Sequence, residues 1–153
     1  MPDWLSHTIA GWITGKAIKI DVSLVVVGSL LPDVIKIQLL FDSLKINTHG
    51  FFDPLHTPVG TLLVALLISL LFPDIKDAFM FLSLGVATHY FLDFFIKHVS
   101  GGIKLLFPIS WKEYQIHFIS SDNYWITVIA VMIGIIFYFL MAEIFLMTLG
   151  ILD

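Results

Sequence analysis

The sequence predicts an all-α integral membrane protein, a bundle of about five helices, and three observations carry that expectation. The 153 residues are 58% hydrophobic and only 13% charged, against roughly 25% charged in ordinary soluble domains. A soluble domain of this length could not hide so much apolar surface, whereas a bilayer solvates it. Several apolar stretches also have the length of a spanning helix, about 17–25 residues. Finally, the few histidines and buried-type carboxylates fall near the ends of those stretches rather than at random.

One membrane domain over residues 1–153 is expected, with helices at about 4–18, 22–40, 55–72, 78–97 and 123–149. The first is short and dotted with Ser6, His7, Gly11, Thr14 and Gly15. The second begins with the apolar run Val22–Leu31, closed by Pro32-Asp33, and continues as a mixed tail. These two read as a helical hairpin with its turn at Lys16–Asp21, the alternative being a pair of helices on the membrane surface. The third, fourth and fifth read as full spans. The third carries no acidic residue or lysine, the fourth is interrupted by His89 and Asp93, and the fifth carries only Glu143. Trp111, Tyr114, Tyr124 and Trp125 near the start of the last helix form an interfacial aromatic belt.

Several chemistries are excluded early. There is no cysteine, hence no disulfide and no thiolate ligand. There is no arginine, which disfavours bidentate phosphate clamps. A net charge of −4 gives no basis for nucleic-acid binding.

If the helices alternate in direction, His7, Asp33, His56, His89 and Asp93 all reach the same end of the bundle. The longer loops with His49, His98 and His117 lie at that end too. Glu143, about 30 Å into the last helix, belongs at the other and is left out. His89 and Asp93 are four apart and share a helix face. His7 shares a stripe with Gly11 and Gly15, His56 with Gly60, and His89 with Gly85. Small residues let membrane helices approach closely, so these histidines should point into helix contacts. Imidazoles and carboxylates together suit a divalent metal, zinc first, with manganese or iron as alternatives. Each residue also has a plainer reading: His7 as an interfacial polar residue, Asp33 as a helix terminator, His56-Thr57-Pro58 as a helix cap, and Asp93 as a partner for Lys97.

The ordered pattern His7-x3-Gly11, Gly28-Ser29-Leu30-Leu31-Pro32-Asp33, His56-Thr57, Gly85-x2-Thr88-His89-x3-Asp93, then glycines before Leu106-Phe107-Pro108, resembles the YdjM family. That resemblance covers most of residues 1–110. Its members are described as membrane-bound, predicted metal-dependent hydrolases, and they are similar in turn to zinc-dependent phospholipase C and the single-strand-specific zinc nucleases. The resemblance implies a metal site of Asp33, His56, His89 and Asp93, with His7 beside Asp93 at a neighbouring metal. It implies Asp33 as bridging ligand or base, and Asp33 and His7 as the catalytic pair. The additional HxxxE pair of those relatives is absent here, and Pro58 stands where the family has serine, so one metal, or at most two, is expected.

The expected function is therefore a metal-dependent hydrolase in the cell's inner membrane, acting on a phosphoester such as a lipid head group. Membrane lipid is the expected partner, and Lys104 or Lys112 a point charge for phosphate. Two other classes stay open: a non-catalytic metal-binding membrane protein (transport, sensing or structural), and an adaptor whose His89–Asp93 pair is only a hydrogen bond. Transport fits less well, because a path needs polar groups at both faces. Lys36, Lys45, Lys97, Lys104 and Lys112 on the site side, against Lys16, Lys19 and Lys76, point the site to the cytoplasm.

Overall fold

Helix α1, Trp4–Ile18, starts the chain described by the computed structural model, which covers residues 4–46, 48, 50–97, 102–116, 118–120 and 123–149. Its bounds match the expected 4–18. A turn with Lys19 at φ 59° reverses the chain. Asp21 then caps α2, Val22–Leu30, accepting from Ser23 N at 2.9 Å and Leu24 N at 3.2 Å, which satisfies two of the orphan amides at a helix start.

The expected helix 22–40 is not uniform. At Pro32, which has no N–H to give the ladder, the chain tightens into a 3-10 turn, Leu31–Ile37, and resumes as α3, Gln38–Ser43. The whole run 22–41 nevertheless has the length and hydropathy of a membrane span. The expected helix 55–72 shows the opposite. A 3-10 turn at Asp53–His56 precedes Thr57, whose hydroxyl caps α4, Pro58–Ser69, by accepting from Gly60 N at 3.1 Å. With 12 residues, α4 is about 18 Å long, too short to cross by itself, because Pro54 and Pro58 consume its first turn. Helix α5, Ile75–Phe94, begins three residues before the expected 78, since Asp74 is its cap. Helix α6, Trp125–Thr148, has 24 residues, a mean hydropathy of 2.5 and no buried residue.

The all-α expectation misses one detail. Strands β1, Ile96–Lys97, and β2, Ile119–Ser120, form a two-residue parallel pair. The loop between them folds back through Ile103 and Tyr114, which exchange both backbone bonds at 2.9 Å. Its amides at Ile116 and Phe118 reach the Phe94 and Phe95 carbonyls at 2.7 and 3.2 Å. The last carbonyls of α5 would otherwise lack partners.

The packing is inside out relative to a water-soluble domain. Nine hydrophobic residues are buried among those described, and so are nine polar ones, including His7, Asp33, Thr57, His89 and Asp93. The outside is apolar by contrast: Leu67, Leu71, Phe91 and Phe139 are all more than 60% exposed. Such a surface is stable only against hydrocarbon. Helix α2 is central, packing on both α1 and α5. Glycines make that closeness possible. A Cβ on Gly28 would strike the Leu82 carbonyl, one on Gly85 the Val25 carbonyl, and one on Gly11 would stand 2.7 Å from Ser29 Oγ. Gly60 differs from the sequence expectation: its neighbour is the Pro54 carbonyl in the preceding turn, not another helix.

A smaller polar contact ties α4 to α5. The Tyr90 and Thr61 hydroxyls lie 2.7 Å apart, both residues buried. Interhelical bonds of this kind average about 0.6 kcal/mol in membranes. Tyr90→Phe is therefore expected to lower stability by roughly that amount, read as a small shift in denaturant midpoint, with metal content unchanged.

Candidate metal centre

Four elements converge on one polar cluster. His7 comes from the first turn of α1, Asp33 from the 3-10 turn after α2, His56 from the 3-10 turn before α4, and His89 and Asp93 from the last turns of α5. Asp93 is the hub. Its Oδ1 lies 3.4 Å from His7 Nε2, and its Oδ2 lies 3.1 Å from His89 Nε2 and 3.8 Å from His56 Nε2. The His7 and His89 rings stack with centroids 3.8 Å apart, and the His56 ring meets His89 edge-on at 5.8 Å. His7, His89 and Asp93 are almost wholly buried, while His56 is about a quarter exposed.

The backbone orients two of the three imidazoles. His89 Nδ1 lies 2.7 Å from the Ser29 carbonyl, and His56 Nδ1 lies 2.9 Å from the Pro32 carbonyl. A carbonyl can only accept, so both rings donate from Nδ1 and turn Nε2 toward Asp93. A backbone carbonyl behind the ring is a common second partner of metal-ligating histidine. Proline explains the first contact. The i+3 partner of the Ser29 carbonyl would be Pro32, which has no N–H to offer it. Ser29 also secures α1, since its hydroxyl donates to the His7 carbonyl at 3.0 Å.

The residues fit a metal. Two triads, His7–Asp33–His89 and His56–His89–Asp93, each offer ligand atoms within 4.8 Å of one another. His7 Nδ1 and His89 Nε2 are buried and make no hydrogen bond among the described residues. Leaving such nitrogens bare inside a protein is costly, and a cation would satisfy them. Both triads use His89, which has only one nitrogen left, so they describe one centre rather than two independent ones. Three imidazoles and two carboxylates are a donor set that could hold a divalent ion.

All five residues expected from the sequence come together. The loop histidines His49, His98 and His117 lie outside the described residues. Lys104 is engaged elsewhere: its ammonium is 3.4 Å from Asp53 and sits over the Trp111 ring. Lys112 stands over Tyr114. The lysine that meets the site is one the sequence reading passed over. Lys36 Nζ is 2.5 Å from Asp33 Oδ2 and 5.4 Å from the centre of the Trp4 ring. Its spacing of three from Asp33 was the available signal. Asp33 and Lys36 line a surface cavity of about 430 Å³ with Trp4, Leu30, Val34 and Ile37, so the cluster meets the surface at Asp33. Lys97, weighed as a partner for Asp93, extends from β1 and is exposed, while Asp93 faces the histidines.

A family model described as YdjM inner membrane protein matches residues 3–152. No curated protein and no solved structure matches this chain.

Proposed function

Since the chain belongs to the YdjM inner membrane protein family, with a buried His/Asp cluster that could hold a metal, we propose that it is a membrane-embedded, metal-dependent hydrolase. The substrate is a phosphoester at the membrane surface, in the first instance a lipid head group. The observation that carries this reading is the set of three imidazole Nε2 atoms turned toward Asp93, with Asp33 of the same cluster lining a surface cavity beside Lys36.

His56, His89 and Asp93 would hold the ion, with His7 and Asp33 completing the set; zinc suits these donors best. Bound there, a divalent ion would supply Lewis-acid chemistry, lowering the pKa of a water and polarising a phosphoryl oxygen. The chain's own groups do the rest. Asp33 lies at the opening with a carboxylate that can take a proton from water. Lys36 neutralises Asp33 and presents a cation beside an entering phosphate. Burial of His7, His89 and Asp93 keeps most of the cluster from bulk water.

The test uses vesicles of defined phospholipid with the purified protein inserted. Asp33→Asn keeps its size and packing but cannot accept the proton. With His56, His89 and Asp93 still in place it should keep most of its bound metal, measured in the same sample, and lose at least about 100-fold in turnover, the usual scale for a general base. Unchanged turnover in Asp33→Asn would remove the role assigned to it.

The same reading places the cluster toward the cytoplasm, on the lysine distribution. The chain has no native cysteine, so single introduced cysteines report sidedness cleanly. Thr148→Cys should react with an impermeant maleimide added to intact spheroplasts, and Lys112→Cys should react only after lysis. The reverse pattern would turn the site outward.

A further inference from the structure

A second cavity lies on the far side of the α1 and α5 walls from the metal ligands. It is a groove of about 640 Å³ between α1, α5 and α6. Its wall is carbon apart from the hydroxyls of Ser6, Thr14 and Thr88, and the Thr88 hydroxyl already donates to the Gly85 carbonyl at 2.7 Å. Nothing in it invites a polar ligand.

Its position in the membrane is defined at both ends. Ser6, Ile96 and Ile126 form the end beside the metal cluster. There Tyr124 and Trp125 stack at 5.2 Å, immediately before Ile126, as an interfacial pair does. Lys97, next to Ile96, is exposed at the same end. The inner end lies at Ile13, Thr14 and Ile133, near where Gly134 seats against Ile9 and Trp12 meets Phe137 edge-on at 5.5 Å. Ser6 to Thr14 is about 12 Å of helix, against about 15 Å for half of the hydrocarbon core. The groove therefore begins at the interface and stops near the midplane. A spanning helix of a second copy needs about 30 Å of continuous seat, which this groove does not offer. One hydrocarbon chain from one leaflet fits both its length and its lining.

We propose that this groove binds one acyl chain of a phospholipid, with the head group at Lys97 and the Tyr124–Trp125 pair. This site is separate from the opening at Asp33 and Lys36; it rests on the membrane placement and stands without hydrolysis.

The probe is phosphatidylglycerol with a diazirine on one acyl chain, in vesicles of phosphatidylcholine and phosphatidylglycerol containing the full chain. Photolabel mapped by peptide mass spectrometry should concentrate on Ala10, Ala87 and Ile133 and be sparse on the outward Leu67 and Phe139. Ala10→Trp fills the groove, and Ala130→Phe fills it from the opposite wall in case the first disturbs folding. Each should reduce groove labelling at least about tenfold, the change that follows losing roughly 1.4 kcal/mol of binding, with helix content unchanged. Equal labelling of groove and outer faces, or full labelling in both filled variants, would overturn the proposal. So would disulfide trapping between chains carrying Ala10→Cys that displaces the lipid label, since the occupant would then be a second copy. His89→Ala separates the two readings: it should keep the label, whatever happens to turnover.

Discussion

His89→Ala is expected to abolish stoichiometric metal binding and turnover together while the bundle remains folded. His89 is the one residue common to both ligand triads, its Nε2 is buried without a hydrogen bond among the described residues, and Ser29 fixes the direction in which that nitrogen points. Removing residues that merely support a ligand costs 10–100-fold in metal affinity, so losing this ligand should cost more than about 100-fold, measured by competition against a chelator of known affinity. Folding should survive, because the glycine contacts between α2 and α5 at Gly28 and Gly85 do not involve the deleted ring. His56→Ala should be milder, since His56 sits farther from Asp93 and is part exposed. Equal metal affinity in wild type and His89→Ala would show that the triads are not the binding site.

The second large effect comes from a residue that touches no ligand. Gly28→Leu should destabilise the bundle by at least about 3 kcal/mol, the upper range for overpacking, and should also lose the metal. Even a Cβ at Gly28 would collide with the Leu82 carbonyl, and Gly85 answers it from the facing helix against Val25 and Ser29. Backbone cannot give way as a side chain can, so α2 and α5 must separate. That separation pulls the Ser29 carbonyl off His89. Gly134→Ala is the control. Its Cβ would meet the movable Ile9 Cγ2 at 3.0 Å, and stability should barely change. A Gly28→Leu chain with wild-type denaturant midpoint and metal content would refute this account of the α2–α5 contact.

Much of this architecture is legible in the amino-acid sequence. The 3.6-residue period puts His89 and Asp93 on one face, and alternation of helix direction brings His7, Asp33 and His56 to the same end. The stripes His7–Gly11 and Gly85–His89 mark the close contacts that bury those histidines. What the sequence does not reveal is backbone detail. Pro32 signals a stop, yet its actual consequence is a 3-10 turn, and carbonyls on either side of that junction, Ser29 and Pro32, orient two imidazoles. The apolar run 55–72 has spanning length, but the 3-10 turn through His56 and the helix end at Ser69 cut it to 12 helical residues. Lys36 looks like one more lysine on a mixed tail until the 3-10 turn brings it onto Asp33. The groove beside α6 has no local signature at all, because three helices distant in sequence build it. The membrane class follows from composition and is shared by the whole family.

The most direct test of the central claim is the bound metal per chain. The protein would be purified in mild detergent without chelator and measured by elemental analysis, beside His56→Ala and His89→Ala prepared identically. The account predicts close to one zinc or manganese per wild-type chain, sharply reduced in both variants. Wild-type protein that stays metal-free after supplementation with zinc, manganese and iron would contradict it, and would leave the histidines and Asp93 as a purely structural polar core.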